Sequence, residues 1–238
     1  EMCIRDRIGT KGVGLTSGYL YPGATYPYGM VQFTPSYFSK RSGFVINQLN
    51  GGGCEHMGNF PTFPVKGKLK MSPDNILNYR INISEEKGHA GYYEAKVQED
   101  IHAKLTVTER TGMASYEYPA DQQYGTVIIG GGISATPIEQ AAIVITAPNK
   151  CEGYAEGGNF CGLRTPYKVY FVAEFDTDAL ESGTWKRDEL KPNTTFAEGE
   201  YSGVYFTFDV NKKKNIQYKI GVSYVSVENA RENLKTEN

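Results

Sequence analysis

From residue 64 onward the chain repeats one pattern, and that pattern limits the folds open to it. Segments 65–69 and 78–83 alternate apolar with polar residues, and 92–97, 101–110, 114–118 and 126–130 follow as strands, each bounded by turn-forming residues. Alternation with period two gives a strand one buried and one wet face. Further strands are expected at 142–147, 150–155, 168–176, 202–209 and 215–225, and residues 85–91, polar and punctuated by glycine, as a loop between strands. A dozen short strands at near-regular spacing fold as an all-β protein, a large antiparallel β-sandwich. Ahead of them, residues 8–63 are loop-rich, with short strands expected at 30–34 and 43–49. A helical pattern begins only at Val227 and runs through Leu234.

Composition narrows the function. All-β sandwiches of 238 residues commonly form one unit, and 27 glycines with 11 prolines suit many turns. The formal charge of −2 is mixed along the chain, which sets aside a nucleic-acid binder with its basic stripe. The longest apolar run falls far short of a membrane span. Eighteen tyrosines suit stacking on the apolar faces of sugars, and equally suit strands and core. The single tryptophan, Trp185, sits in a turn-like Gly183-Thr184-Trp185-Lys186 segment. Four cysteines include no Cys-x-x-Cys pair, so no thiolate metal site is expected. Cys151 and Cys161 bracket a glycine-rich turn and are either a disulfide across a hairpin or two unrelated thiols. Cys54, with no base partner in sequence, reads as a small buried residue.

Residues 21–32, Tyr21-Pro22-Gly23-Ala24-Thr25-Tyr26-Pro27-Tyr28-Gly29-Met30-Val31-Gln32, hold two X-Pro steps that impose an extended, kinked path into a strand. With Ile8-Gly9-Thr10 upstream and Gly51-Gly52-Gly53-Cys54-Glu55-His56-Met57-Gly58-Asn59-Phe60 downstream, this stretch resembles the opening of glycoside hydrolase family 92. The resemblance continues through residues 105–112, Gly157-Gly158-Asn159-Phe160-Cys161-Gly162, residues 170–175 and residues 223–230. Members are mostly exo-acting, calcium-dependent α-mannosidases. The resemblance implies a sandwich of the super-sandwich type, also seen in galactose mutarotases, followed by an (α/α)6 catalytic barrel. It begins at Ile8; residues 1–7 read as translated adapter sequence. Residues 8–226 would then be the N-terminal domain, and 227–238 the start of a helical linker to a barrel outside this chain.

The resemblance also implies an inverting exo-α-mannosidase of N-glycan or mannan type, periplasmic or secreted. Its acid, base and most of its calcium site would lie in the barrel. The chain alone is then expected to be inactive, its partners being an α-mannoside glycan and its own barrel. Where family members carry tryptophans before the glycine-rich loop, this chain has residues 36–42 without one.

Inverting glycosidases need two carboxyl groups roughly 6.5–9.5 Å apart. Glu174, Asp176 and Asp178 share one face of a strand, as a solvated sheet surface does, and Glu198 and Glu200 read as surface charges. No spacing fits a calcium loop, and no catalytic residue is assigned. The richest candidate is the loop around 47–59, where three glycines allow close backbone approach and Gln48, Gly53, Glu55, His56 and Asn59 supply groups for sugar hydroxyls. The bland alternative is a tight loop whose polar groups satisfy one another. The resemblance makes it a loop lining the domain interface, with those five residues binding substrate. His89 is expected to face solvent, and His102 to be a structural histidine. The competing reading from another class is a free-standing carbohydrate-binding or mutarotase-like sandwich.

Overall fold

A computed structural model describes residues 22–36, 43–49, 54, 56–74 and 83–237. Two sheets lie face to face, and every strand pair is antiparallel. Numbered along the chain, the first sheet runs β1 (Ala24–Thr25), β2 (Gln32–Pro35), β3 (Phe44–Val45), β4 (Thr62–Lys66), β9 (Tyr124–Gly130), β16 (Ser202–Asp209), β13 (Glu181–Lys186) and β14 (Glu189–Pro192). The second runs β15 (Phe196–Glu198), β10 (Ile138–Ala147), β11 (Lys150–Phe160), β12 (Leu163–Phe175), β17 (Asn215–Ser223), β8 (Thr111–Glu117), β7 (Ile101–Val107), β6 (Tyr92–Val97) and β5 (Ile83–His89).

Alternation sets what each strand buries. Tyr93, Ala95 and Val97 of β6, Ile101, Ala103 and Leu105 of β7, and Val169, Phe171, Ala173 and Phe175 of β12 all turn into the space between the sheets. Aromatic rings bridge it. Phe175 of the second sheet meets Phe206 and Phe208 of the first at 4.8 and 5.1 Å, and Phe33 meets Tyr218 at 6.2 Å. The Tyr218 hydroxyl donates to Thr62 Oγ1 at 2.6 Å, so this buried phenol keeps a partner across the core.

The helical pattern is α1 (Val227–Thr236). Ser226 caps it, its hydroxyl accepting from the Asn229 amide at 3.0 Å. Ala230 and Leu234 pack on Val172, on the outer face of the second sheet, and Asn233 Nδ2 donates to the Val222 carbonyl at 2.8 Å. The approach is close: a Cβ on Gly221 would lie 2.5 Å from the Ala230 carbonyl oxygen, so glycine is required there.

Several expectations are corrected. Residues 85–91 are not a loop: β5 occupies 83–89 and turns at 90–91. As the edge strand of its sheet, β5 needs no continuous apolar face, which is why its composition misleads. Trp185 is in no turn. It lies fully buried in β13 opposite Gly203, where a Cβ would sit 2.2 Å from the indole. Strands β13, β14 and β15 were not anticipated. The strand expected at 43–49 is shorter, continuing past β3 only as single bridges at Asn47 and Gln48. Of the strand expected at 78–83, only Ile83 lies within the described residues, and residues 1–8 lie outside them.

Candidate substrate-binding end of the sandwich

One end of the sandwich gathers the loop after β3, the β11–β12 hairpin and the residues after β17. The Gln32 amide donates to the Ile46 carbonyl at 2.9 Å, and Gln32 bridges to Asn47, so the 44–48 segment extends alongside β2. A second bridge, Gln48 to Met57, and the Leu49 amide donating to the His56 carbonyl at 3.2 Å close the base of the glycine-rich loop. The return path needs left-handed backbone at Met57 (φ 61), Gly58 (φ 74) and Phe60 (φ 54). Left-handed Met and Phe are uncommon and mark a loop held by its surroundings.

A buried amide network holds it. Asn47 Oδ1 accepts from the Asn59 backbone amide at 2.7 Å, and Asn47 Nδ2 donates to Asn59 Oδ1 at 3.1 Å and toward the Tyr224 hydroxyl at 3.4 Å. The Tyr167 hydroxyl also donates to Asn59 Oδ1, at 3.1 Å. Asn59 is fully buried, and its Nδ2 has no hydrogen-bond acceptor among the described residues. Burial pushes the Tyr167 phenol above its ordinary range.

His56 is 6% exposed. Its Nδ1 lies 3.1 Å from the Asn159 carbonyl oxygen, which can only accept, so Nδ1 carries the proton and Nε2 is the acceptor nitrogen. Phe160 and Tyr167 contact the imidazole edge-on at 5.1 and 5.6 Å. Burial lowers the His56 pKa below its ordinary 6.5, opposed by the bond to Asn159. The ring is therefore neutral at pH 7, with one donor committed and one acceptor left. Gln48, bridged to Met57 next to His56, is buried at 2% exposed, while Glu55 and Gly53 lie outside the described residues.

The cysteines pair otherwise than expected. Cys54 and Cys161, 107 residues apart, form a disulfide with Cα atoms 5.7 Å apart, and Cys151 is a free thiol in the core. Strand parity explains this: Cys151 faces inward with Gly153 and Ala155, whereas Cys161 stands at the hairpin tip beyond the sheet. Burial raises the Cys151 thiol far above its ordinary pKa, so it stays protonated and inert.

Asn47 opens the candidate stretch but is not in its binding set, and Asn159, Tyr167 and Tyr224 are residues the sequence does not place at this site. The last three lie in or beside the quoted sequence blocks around 159 and 224, but nothing local in the sequence joins those blocks to loop 47–60. The other candidates stay apart from it. Glu174 pairs with Lys150 at 3.2 Å and Asp176 with Lys213 at 2.7 Å, both on the surface. His89 is exposed and stacks on Tyr92, and His102, half-buried, stands 3.8 Å from Glu94.

The same end carries exposed apolar side chains: Tyr26, Tyr28, Met30, Leu49, Leu163, Tyr224 and Val225. Tyr28 is fully exposed with φ 61, in a turn closed by the Gly29 amide donating to the Tyr26 carbonyl at 3.1 Å. The Met30 amide ties that turn to Glu109 at 2.7 Å, beside the point where β8 meets the end of β17.

Comparison with known proteins places this fold. The model of the glycosyl hydrolase family 92 N-terminal domain matches residues 3–223. An uncharacterized secreted glycosidase of Arthroderma benhamiae is 23% identical over 256 residues, covering 92% of this chain and 33% of the relative. A family 92 α-mannosidase of Bacteroides thetaiotaomicron superposes with a TM-score of 0.82 at 23% identity, over 98% of this chain and 34% of that one. An inverting family 92 mannosidase from the same species gives 0.76 at 23% identity, over 92% and 30%. The solved structures establish likeness of fold, and the chain spans about a third of the length of the relatives it matches. The match to the family model over nearly the whole chain means that this protein belongs to glycosyl hydrolase family 92, as its N-terminal domain.

Proposed function

We propose that this chain is the front domain of an inverting exo-α-mannosidase acting on N-glycan or mannan substrates. In this reading its glycine-rich end packs on an (α/α)6 catalytic barrel and lends loops to the sugar pocket. The observation that carries the reading is the end itself, where exposed apolar side chains surround a buried Asn–His–Tyr cluster. Domains within one chain typically meet over roughly 600–1,500 Å², and a face with Tyr26, Tyr28, Met30 and Leu49 exposed suits that use. His56, Asn59 and Gln48, with Glu55 and Gly53 of the same loop, are the proposed substrate-binding set. Within it, Asn59 acts from behind by fixing the loop, and His56 offers Nε2 to a hydroxyl.

The acid, the base and calcium are assigned to the barrel. Among the described residues no three His, Cys, Asp or Glu side chains gather into one cluster. A secreted or periplasmic location agrees with a disulfide spanning 107 residues, which persists in oxidising compartments. A relative described as secreted points the same way, and no helix among the described residues is long and apolar enough to cross a membrane. The free-standing sugar-binding or mutarotase-like reading is not favoured, because the family match is to a domain of a larger enzyme.

The test is direct. The purified 238-residue chain should release no mannose from an aryl α-mannoside with or without calcium, and fusion to a family 92 barrel should restore turnover. Release by the chain alone would overturn the division of labour. In the barrel-containing enzyme, His56→Ala should lower kcat/KM roughly ten- to a hundredfold, the effect of removing one buried hydrogen-bond partner of a substrate. Unchanged kinetics with lost stability would make His56 a purely structural loop residue.

A further inference from the structure

We propose that the Cys54–Cys161 disulfide is a positioning clamp, which seats the tip of the β11–β12 ribbon on His56 so that the polar cluster is assembled only in the oxidised protein. The ribbon outruns its sheet. On one side β10 accompanies β11 only as far as the Ile138–Gly157 pair; on the other, β17 accompanies β12 only from the Tyr170–Ser223 pair. Beyond those points, among the described residues, the tip's strand pairing is with itself, Asn159 with Arg164 and Phe160 with Leu163, and residues 163–166 are exposed. A two-stranded hairpin without a third strand is marginal in water.

Contacts from this tip to the body include the disulfide, the Asn159 carbonyl on His56 Nδ1, the Phe160 ring on the His56 edge, and a solvent-exposed ion pair between Arg164 and Glu139 at 3.3 Å. An exposed pair of that kind holds little. On the facing side, Cys54 lies two residues before His56 and is half-buried. The covalent bond thus ties the projecting tip to the segment that carries His56, and the Asn159 and Phe160 contacts to His56 lie within two residues of it on each side. Without the bond, the acceptor carbonyl of Asn159 and the Phe160 ring sit on a tip that no third strand among the described residues flanks, while Tyr167 stays held by Asn59.

The bond is also reachable, since Cys161 is exposed and Cys54 half-buried. A dithiol such as dithiothreitol supplies two electrons and two protons, the S–S bond opens to two thiols, and the reagent closes to its cyclic disulfide.

The experiment compares the oxidised chain, the chain reduced with dithiothreitol, and the Cys54→Ser/Cys161→Ser double variant. Hydrogen exchange and nitrogen NMR of the His56 ring are the readouts, and neither needs turnover, so the result is independent of the mannosidase reading. Reduction should speed exchange of the 158–166 amides at least about tenfold while β7 and β8 keep their protection. It should also erase the preference for the Nδ1–H tautomer and move the His56 pKa up toward 6.5. The double variant should behave as reduced in either buffer, and reoxidation should restore only the parent chain. Exchange that rises equally in both sheets, or unchanged His56 signals after reduction, would overturn the proposal and leave the bond a general staple.

Discussion

The β6–β7–β8 meander and the loop-rich end of the sandwich are held by opposite means. In the meander, register runs unbroken and every second side chain is buried, from Tyr93 through Leu105 to Tyr116. The burial that stabilises it is non-directional, roughly proportional to area, and spread over many residues. At the other extreme, Asn59 and Asn47 are joined to Tyr167 and Tyr224 by single hydrogen bonds across as many as 177 residues. There a few directional contacts carry the geometry, and each leaves a buried orphan if removed. The meander should therefore fail by losing stability, and the end by losing arrangement.

The sharpest way to break this contrast is in the core. Phe175 is buried against Phe206, Phe208 and Tyr218, and Phe175→Ala should cost about 3–5 kcal/mol by urea denaturation, with the transition still cooperative. A loss below about 1 kcal/mol would mean that the rings between the sheets are loosely packed, and the contrast would collapse. Next comes Asn59→Ala, which strands the Asn47 amide and the Tyr167 hydroxyl; a loss of about 1–3 kcal/mol is expected. Its signature should be faster amide exchange near 47–60 and 157–167 with β6–β8 unchanged, and uniform loosening would count against a locally held end.

The smallest effect is a pH slope. His56 has a folded pKa below its unfolded value of 6.5, so the unfolded chain takes up the proton first as pH falls. The stability that neutral His56 contributes is complete above pH 6.5 and is lost as pH falls from there through the lower folded value. His56→Gln should flatten that part of the stability–pH curve, and a slope unchanged by the substitution would show that other groups titrate there.

Where burial alone decides, the residues announce their places. The segments expected as strands at 92–97, 101–110 and 215–225 form strands at 92–97, 101–107 and 215–223, with alternate residues buried, and the turn to helix at Val227 is marked by its Ser226 cap. Membership of the family was legible in the same way, through blocks that are contiguous in the chain. What could not be read locally was decided by neighbours. Polar residues 83–89 form a strand because β6 offers them hydrogen-bond partners and an edge position tolerates their charges. Trp185 is interior because Gly203 on the adjacent strand leaves space for the indole. Cys161 passes over Cys151, ten residues away, for Cys54, 107 residues away, because strand parity turns Cys151 into the core and carries Cys161 past the sheet's edge. Period and composition encode how much surface a segment must bury. Which distant group meets a given amide, ring or thiol depends on how the sheets stack and where their strands end, and those are properties of the whole assembly.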